Sequence, residues 1–305
     1  MSMKVLVLGG NGFIGSHVVD QLLLEGYQVR IFDRSPEHHR EPLAQVDYIF
    51  GTFDDQLQVA KAMQGVDAIC HLISTTVPST SNLDPIADVQ SNLVNTLSLL
   101  ESMRKNGVRR LLYLSSGGTV YGNPKYSPID EEHPLNPICS YGVVKVAIEK
   151  YLMMYQYLYD LDVIIFRPSN PYGPRQSYVG VQGLISVLLN KALTGDTFQM
   201  WGDGSIVRDY LHVTDLAKLC VHGLSSDHCG VYNAGSGQGY SVHDILAIVH
   251  DLTHQKIHVH ANVGRDFDVK KVVLNINAAV SIFHWQPEIT LTQGIQTHLS
   301  WLQQQ

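Results

Sequence analysis

The 305-residue chain lacks the features that mark several protein classes. No apolar run approaches the roughly 20 residues of a membrane-spanning helix. Basic residues are scarce: 21 Lys and Arg stand against 28 Asp and Glu, a formal net charge of −7. That balance does not suit a protein that grips nucleic acid through its phosphates. Cys70, Cys139, Cys220 and Cys229 show no CxxC spacing, and four scattered cysteines in a chain of this length read as reduced thiols, not a disulfide framework. Fifteen histidines are present, but neither HExxH nor a Cys/His cluster at zinc spacing occurs, so no metal site is expected. His38 and His39 fall in a polar loop, while His254, His258 and His260 alternate as along a strand or edge. The opening MSMKVLVLGGNGFIG enters a strand almost at once and lacks a signal peptide's cleavage site, so the expected location is cytoplasmic, without membrane or nucleic-acid partners.

What is present is a compact composition, 45% hydrophobic and only 16% charged, with an alternation of two periods. Short apolar runs at Lys4–Leu8, Gln28–Phe32, Tyr48–Phe50, Ala68–Leu72, Leu111–Leu114 and Asp162–Phe166 alternate with helical stretches at Phe13–Glu25, Leu57–Met63, Val89–Lys105 and Ser140–Asp160. Such alternation predicts βαβ units and an α/β, Rossmann-type doubly wound parallel sheet. After Arg167 the texture shifts to short elements and glycine-rich turns. Residues 1–167 are therefore expected to form a dinucleotide-binding domain and 168–305 a smaller mixed substrate lobe, with segments such as Val231–Ala234 returning to the large sheet.

Between the first run and the first helix lies Gly9-Gly10-Asn11-Gly12-Phe13-Ile14-Gly15, a G-x-x-G-x-x-G turn. The first glycine permits the turn, the second admits a pyrophosphate to the backbone, and the third lets helix and strand pack closely. The N–H groups that open the helix, at Phe13 and Ile14, then face the phosphates. Asp33 ends the second run, where a carboxylate accepts from an adenosine ribose and repels a 2′-phosphate. This favours NAD over NADP, although Arg34 beside it pulls the other way.

Tyr141-Gly142-Val143-Val144-Lys145 places a phenol and an ammonium four residues apart on one helical face. The ammonium is expected to lower the phenol's pKa and make Tyr141 a general base. Together with the glycine turn, HLIS (71–74), SNLVNTLSLLE (91–101), LSSGGTVYG (114–122), FRPSNPYGPR (166–175) and GDGSIVRDYLHVTDLA (202–217), the pattern resembles the extended short-chain dehydrogenase/reductase family over nearly the whole chain, and most of all its sugar-nucleotide 4-epimerases. The resemblance implies that Tyr141 is the base and that Lys145 also binds the nicotinamide ribose. It implies a cofactor site that includes Phe53, Asp54, Leu72, Ser74, Asn92, Ser115 and Pro168. Asn170 and Arg208 look like ligands of the nucleotide-sugar, and Arg265 with Asp268 resembles the family's R-x-x-D.

The chain departs from the family in three places. The usual catalytic Ser or Thr is Gly117 here, leaving Ser116 and Thr119 as substitutes. Thr119 is favoured, because alternation along an extended segment sets 117 and 119 on one face. The adenine-contacting Asp is Thr52, with Phe53 and Asp54 following. The small residues expected after His71-Leu72 are Ile73 and Ser74. Gly118 and Thr119 stand where the family's dehydratases carry Asp-Glu, which argues against water loss. The resemblance thus implies an NAD-dependent enzyme inverting C4 of a UDP-hexose or UDP-N-acetylhexosamine through a transient 4-keto sugar. A 4-keto reductase and a non-catalytic NAD-binding sensor are the alternatives. Val272, in place of a bulkier residue, is expected to admit a 2-acetamido group. Wide apolar faces on helices 92–105 and 140–159 predict a homodimer.

Overall fold

The computed structural model describes residues 2–177, 183–263 and 269–305. The first part runs β1 (Lys4–Leu8), α1 (Phe13–Leu24), β2 (Gln28–Asp33), β3 (Val46–Phe50), α2 (Gln56–Ala62), β4 (Ala68–His71), α3 (Pro85–Asp88), a π-helical turn (Val89–Val94), α4 (Asn95–Asn106), β5 (Arg110–Leu114), α5 (Ser140–Tyr159) and β6 (Asp162–Pro168). There follow β7 (Asn170–Tyr172), α6 (Leu184–Thr194), β8 (Phe198–Trp201), β9 (Val207–His212), α7 (Val213–Ser225), β10 (Gly230–Ala234), β11 (Gly239–Ser241), α8 (Val242–Thr253), β12 (Val259–Asn262), β13 (Lys271–Val272), α9 (Asn277–Phe283) and α10 (Leu291–Leu302).

Seven strands form one parallel sheet in the order β10-β6-β5-β4-β1-β2-β3. Its central strands are apolar throughout because both faces are covered. Within β1, Val5 and Val7 join a core with Val18 and Leu22 of α1 and Leu216 and Leu219 of α7. Leu6 and Leu8 turn the other way, toward Val59 of α2, Leu99 of α4 and Leu152 of α5. The same split recurs in β6, where Ile164 and Phe166 oppose Val163 and Ile165. A strand's period of two thus feeds two cores at once.

The strand order reverses between β1 and β4, so a crevice opens beyond their carboxyl ends, where such sheets bind ligands. β10 crosses back from the later part of the chain to pair with β6. The remaining strands build a small mixed sheet of β7, β9, β11 and β13 and a parallel pair of β8 and β12. They pack with α6, α8 and α10 around Ile185, Leu188, Leu189, Ile245, Ile295 and Leu299.

Two local expectations change. The segment read as one helix from Val89 to Lys105 begins with a π-helical turn, a form that often marks functional positions. His254 does not alternate along a strand: it ends α8 in the left-handed conformation, φ +55, and only His260 of the three lies within β12. Among the described residues, no helix is long and apolar enough to cross a membrane, and no three His, Cys, Asp or Glu side chains converge as a metal site needs.

Candidate active site

The glycine turn is built as the sequence demands. Gly9 sits at φ +85, and its carbonyl accepts from Gly12 N–H at 3.2 Å. A Cβ on Gly15 would stand 2.0 Å from Gly9 O, so only glycine lets α1 approach β1 this closely. α1 starts at Phe13 with no side chain capping it, which leaves the N–H groups of Phe13, Ile14 and Gly15 to a ligand. At the end of β2, Asp33 Oδ2 accepts from Asn11 N–H at 3.0 Å and Oδ1 from Ser35 N–H at 3.1 Å. The carboxylate is thereby held at the rim of a cavity of about 650 Å³. Gly9, Gly12, Asp33, Arg34, Thr52, Phe53, Asp54, Leu72, Ile73 and Ser74 line this cavity, together with Ala87, Gln90, Ser91 and Asn95 from the facing helix.

Three residues expected around the cofactor do not line it. Asn92 is buried, with Oδ1 accepting from Thr75 N–H at 2.9 Å and Nδ2 donating to Asp88 Oδ1 at 2.9 Å, so its amide ties a loop to a helix. Ser115 donates to the buried carboxylate of Glu149. Pro168 lies at the end of β6, where its carbonyl accepts from Gly117 N–H at 2.8 Å.

Ser74 links the cavity to the catalytic pair, because its hydroxyl and that of Ser116 both hydrogen-bond the Tyr141 phenol. α5 begins without a side-chain cap of its own: Ser140 N–H donates to Asn82 Oδ1 at 2.8 Å and Tyr141 N–H to Ser81 Oγ at 3.1 Å. One helical turn on, buried Lys145 donates from Nζ to Leu114 O at 2.9 Å and lies 5.5 Å from the Tyr141 ring centroid and 4.7 Å from that of Tyr113. The expected lowering of the phenol is not what the geometry yields. Burial pushes Tyr141 up to about 12, and the hydroxyls of Ser74 and Ser116 are what act against it. Lys145 is itself brought down to about 8 by burial, with Glu149 and Asp88 opposing.

The argument for Thr119 assumed an extended segment, but residues 117–121 form a turn in which Thr119 and Val120 N–H both donate to Ser116 O, at 3.3 and 3.1 Å. Alternation therefore does not apply. A Cβ on Gly117 would point at Leu274 Cδ1, 2.6 Å away, and at Arg167 O, 2.8 Å away. Ser116 is the hydroxyl that reaches the phenol, while Thr119 Oγ1 is buried without a partner.

In the smaller lobe, Asn170 Nδ2 donates to Asp209 O at 2.8 Å, fastening β7 to β9, and Arg208 Nη1 donates to Val207 O at 3.0 Å. Val272 is buried against Val120, Tyr121, Ile129 and Leu274. Arg265 and Asp268 lie outside the described residues.

Residues 5–235 match the family described as NAD dependent epimerase/dehydratase. The chain belongs to this family. A putative UDP-glucose 4-epimerase of Methanocaldococcus jannaschii is 33% identical over 301 residues, with 98% of each chain covered. Among solved structures, the UDP-glucose 4-epimerase of Thermus thermophilus in complex with NAD superposes with a TM-score of 0.92 at 31% identity, and 99% of each chain is covered. The UDP-N-acetylglucosamine 4-epimerase of Methanobrevibacter ruminantium, in complex with UDP-N-acetylmuramic acid, superposes with a TM-score of 0.93 at 25% identity over 99% of each chain.

Sequence reasoning missed two buried carboxylates behind this epimerase-family site. Glu149 accepts from Arg167 Nη2 at 2.6 Å and Nε at 3.0 Å; the pair is 2% and 4% exposed. Its spacing was readable, since Tyr141, Lys145 and Glu149 repeat every four residues on one helical face. Asp88 had only the weaker signal of Asn92 four residues on.

Proposed function

We propose that this member of the family inverts C4 of a UDP-hexose, with Tyr141 as the base. The observation that carries the reading is the phenol itself: it stands at the end of the dinucleotide cavity, held between the Ser74 and Ser116 hydroxyls on the helix that also carries Lys145.

The residues present fit an NAD molecule. The Cβ-free approach at Gly15 and the uncapped start of α1 suit a pyrophosphate, and Asp33 suits the adenosine ribose. Thr52, Phe53 and Asp54 would border the adenine, and Ser74, Tyr141 and Lys145 the nicotinamide end. When bound, oxidised NAD supplies a hydride acceptor for C4 and a positive charge beside the phenol. Tyr141 takes the proton of the sugar O4, and Ser116 and Ser74 hold the resulting charge on the phenol oxygen through their O–H groups. Tyr141 then returns the proton once the 4-keto sugar has presented its other face. Ser116, and not Gly117, provides the second hydroxyl of the site. Lys145 is held by Leu114 O where it would meet a ribose.

The names of the relatives point to UDP-glucose, and one neighbour acts in the N-acetyl series. Val272 lies buried behind Val120, consistent with room for a 2-acetamido group. Incubation with UDP-glucose, UDP-galactose and their 2-acetamido counterparts, followed by proton NMR at C4, tests the reading. Inversion that disappears in Tyr141→Phe is the expected result. A folded Tyr141→Phe protein at full rate removes Tyr141 from this role. Cofactor that stays bound through purification separates the epimerase from a 4-keto reductase, which must exchange it. A homodimer follows from α5, whose Val143, Tyr151, Met154 and Leu158 form an exposed apolar stripe opposite the buried Ile148, Leu152 and Tyr155. Sedimentation of dilute protein as a monomer would exclude it.

A further inference from the structure

Asp88 closes α3 with no exposure to solvent. Its Oδ1 accepts from Thr76 Oγ1 at 2.7 Å and from Asn92 Nδ2 at 2.9 Å, and its Oδ2 accepts from Ser140 Oγ at 2.7 Å. All three donors are neutral. A buried carboxylate answered by neutral donors is costly unless its hydrogen bonds are good, so the arrangement calls for a reason.

The donors come from three separate places: the loop after β4, the π-helical turn, and the first residue of α5. That loop carries Ser74, which bonds the Tyr141 phenol, and Ser140 immediately precedes Tyr141. The remaining ties at the start of α5, from Ser81 and Asn82, belong to the same stretch before α3. The start of the helix that carries the base is thus held from outside, with Asp88 as the node. Its charge faces Tyr141 and Lys145 of α5 and Tyr113 of β5; Glu149 and His71 of β4 act on the same Lys145.

We propose that Asp88 is a positioning residue of the reaction: it clamps the Ser74–Thr76 loop to the first turn of α5, fixes the phenol against the Ser74 hydroxyl, and sets a permanent negative charge facing the Lys145 ammonium. The inference rests on the reading of Tyr141 as base. Removing the charge favours phenolate at Tyr141 and disfavours the ammonium at Lys145, so the limbs governed by both groups move to lower pH.

The test uses the NAD-loaded protein and UDP-galactose, with kcat followed across pH in wild type, Asp88→Asn and a Thr76→Val/Ser140→Ala double variant. Tyrosine isotope-labelled at Cζ, with the Tyr141 signal assigned by Tyr141→Phe, reports the phenol by NMR independently of turnover. Asp88→Asn should lose about ten-fold in kcat, shift both pH limbs downward, lose most above the Lys145 value of about 8, and move the Tyr141 signal. The double variant should lose several-fold with its limbs unmoved, because the charge remains. Asp88→Asn with wild-type limbs and an unmoved Tyr141 signal overturns the proposal. If that variant does not fold, a double variant within two-fold of wild type overturns it instead. A wild-type protein inert toward every UDP-sugar would defeat the epimerase reading alone, since the NMR arm still reports whether Asp88 governs the phenol.

Discussion

Consider restoring the hydroxyl that the family pattern misses, by Gly117→Ser. From sequence alone this change should repair the site. The structure predicts damage. The new Cβ would lie 2.6 Å from Leu274 Cδ1, 2.8 Å from Arg167 O and 3.2 Å from Pro168 O. Leu274 is fully buried, and the two carbonyls belong to the end of β6, with Pro168 O already accepting from Gly117 N–H at 2.8 Å. Two of the three contacts are with backbone, which yields little, so the turn itself must shift. Overpacking of this kind costs about 1–3 kcal/mol. At roughly 2–4 °C per kcal/mol for a chain of this size, Tm should fall by about 2–10 °C. The hydroxyl would point toward β6 and not toward Tyr141, so kcat should not rise, and movement of Ser116 should lower it. Thermal melts of Gly117→Ala and Gly117→Ser beside kcat for C4 inversion test both parts. An unchanged Tm together with a faster serine variant would show that residue 117 faces the phenol and that the geometry argued above is wrong.

Ser116→Ala removes a hydrogen bond to a developing phenolate and should lower kcat by about 10–100-fold, whereas Thr119→Ala, whose hydroxyl bonds nothing in the protein, should cost less; the reverse ranking in steady-state kinetics would restore Thr119. Glu149→Gln leaves the Arg167 guanidinium buried without its counter-charge and should cost about 3–5 kcal/mol in denaturant unfolding, and a loss below about 1 kcal/mol would contradict this. His17, His212 and His298 are each lowered by burial to about 4, below the 6.5 of an unfolded chain. The unfolded state therefore binds more protons between these values, so stability is full above pH 6.5 and falls toward pH 4, by at most about 1.4 kcal/mol per pH unit for each imidazole. Urea midpoints that stay flat across this window would show that the three rings are not neutral in the fold.

The parts of the molecule that obey a local period were legible beforehand. Val5 and Val7 against Leu6 and Leu8 announce a strand buried on both faces, and the glycine turn after it announces a phosphate site, because each depends only on neighbours in the chain. The segment 115–119 was not legible, since its shape is set from 50 residues away by the carbonyls of Arg167 and Pro168. Alternation was applied to a stretch that turns, and it selected Thr119 over Ser116. Asn92 and Ser115 failed in another way: their residue types suit a cofactor, but each meets a buried carboxylate, Asp88 or Glu149, that folding brings beside it. A motif names residues with the right chemistry, whereas burial decides which of them still have a hydrogen bond to give.

The same competition governs the base. A Y-x-x-x-K spacing puts ammonium and phenol on one helical face, and through water-like surroundings that would favour phenolate. In the folded protein the ammonium is directed to Leu114 O and toward the face of Tyr113, and burial raises Tyr141 to about 12 while bringing Lys145 to about 8. Desolvation opposes the charged form of each, so without a further charge the site favours neutral phenol over phenolate. Ser74 and Ser116 offset part of this, and the positive ring of a bound oxidised cofactor would offset more. It follows that proton removal by Tyr141 should depend on which cofactor form is bound: the Tyr141 signal should titrate at lower pH with NAD than with NADH. Equal titration in the two forms would mean that the protein alone sets the base, and the electrostatic argument made here would fail.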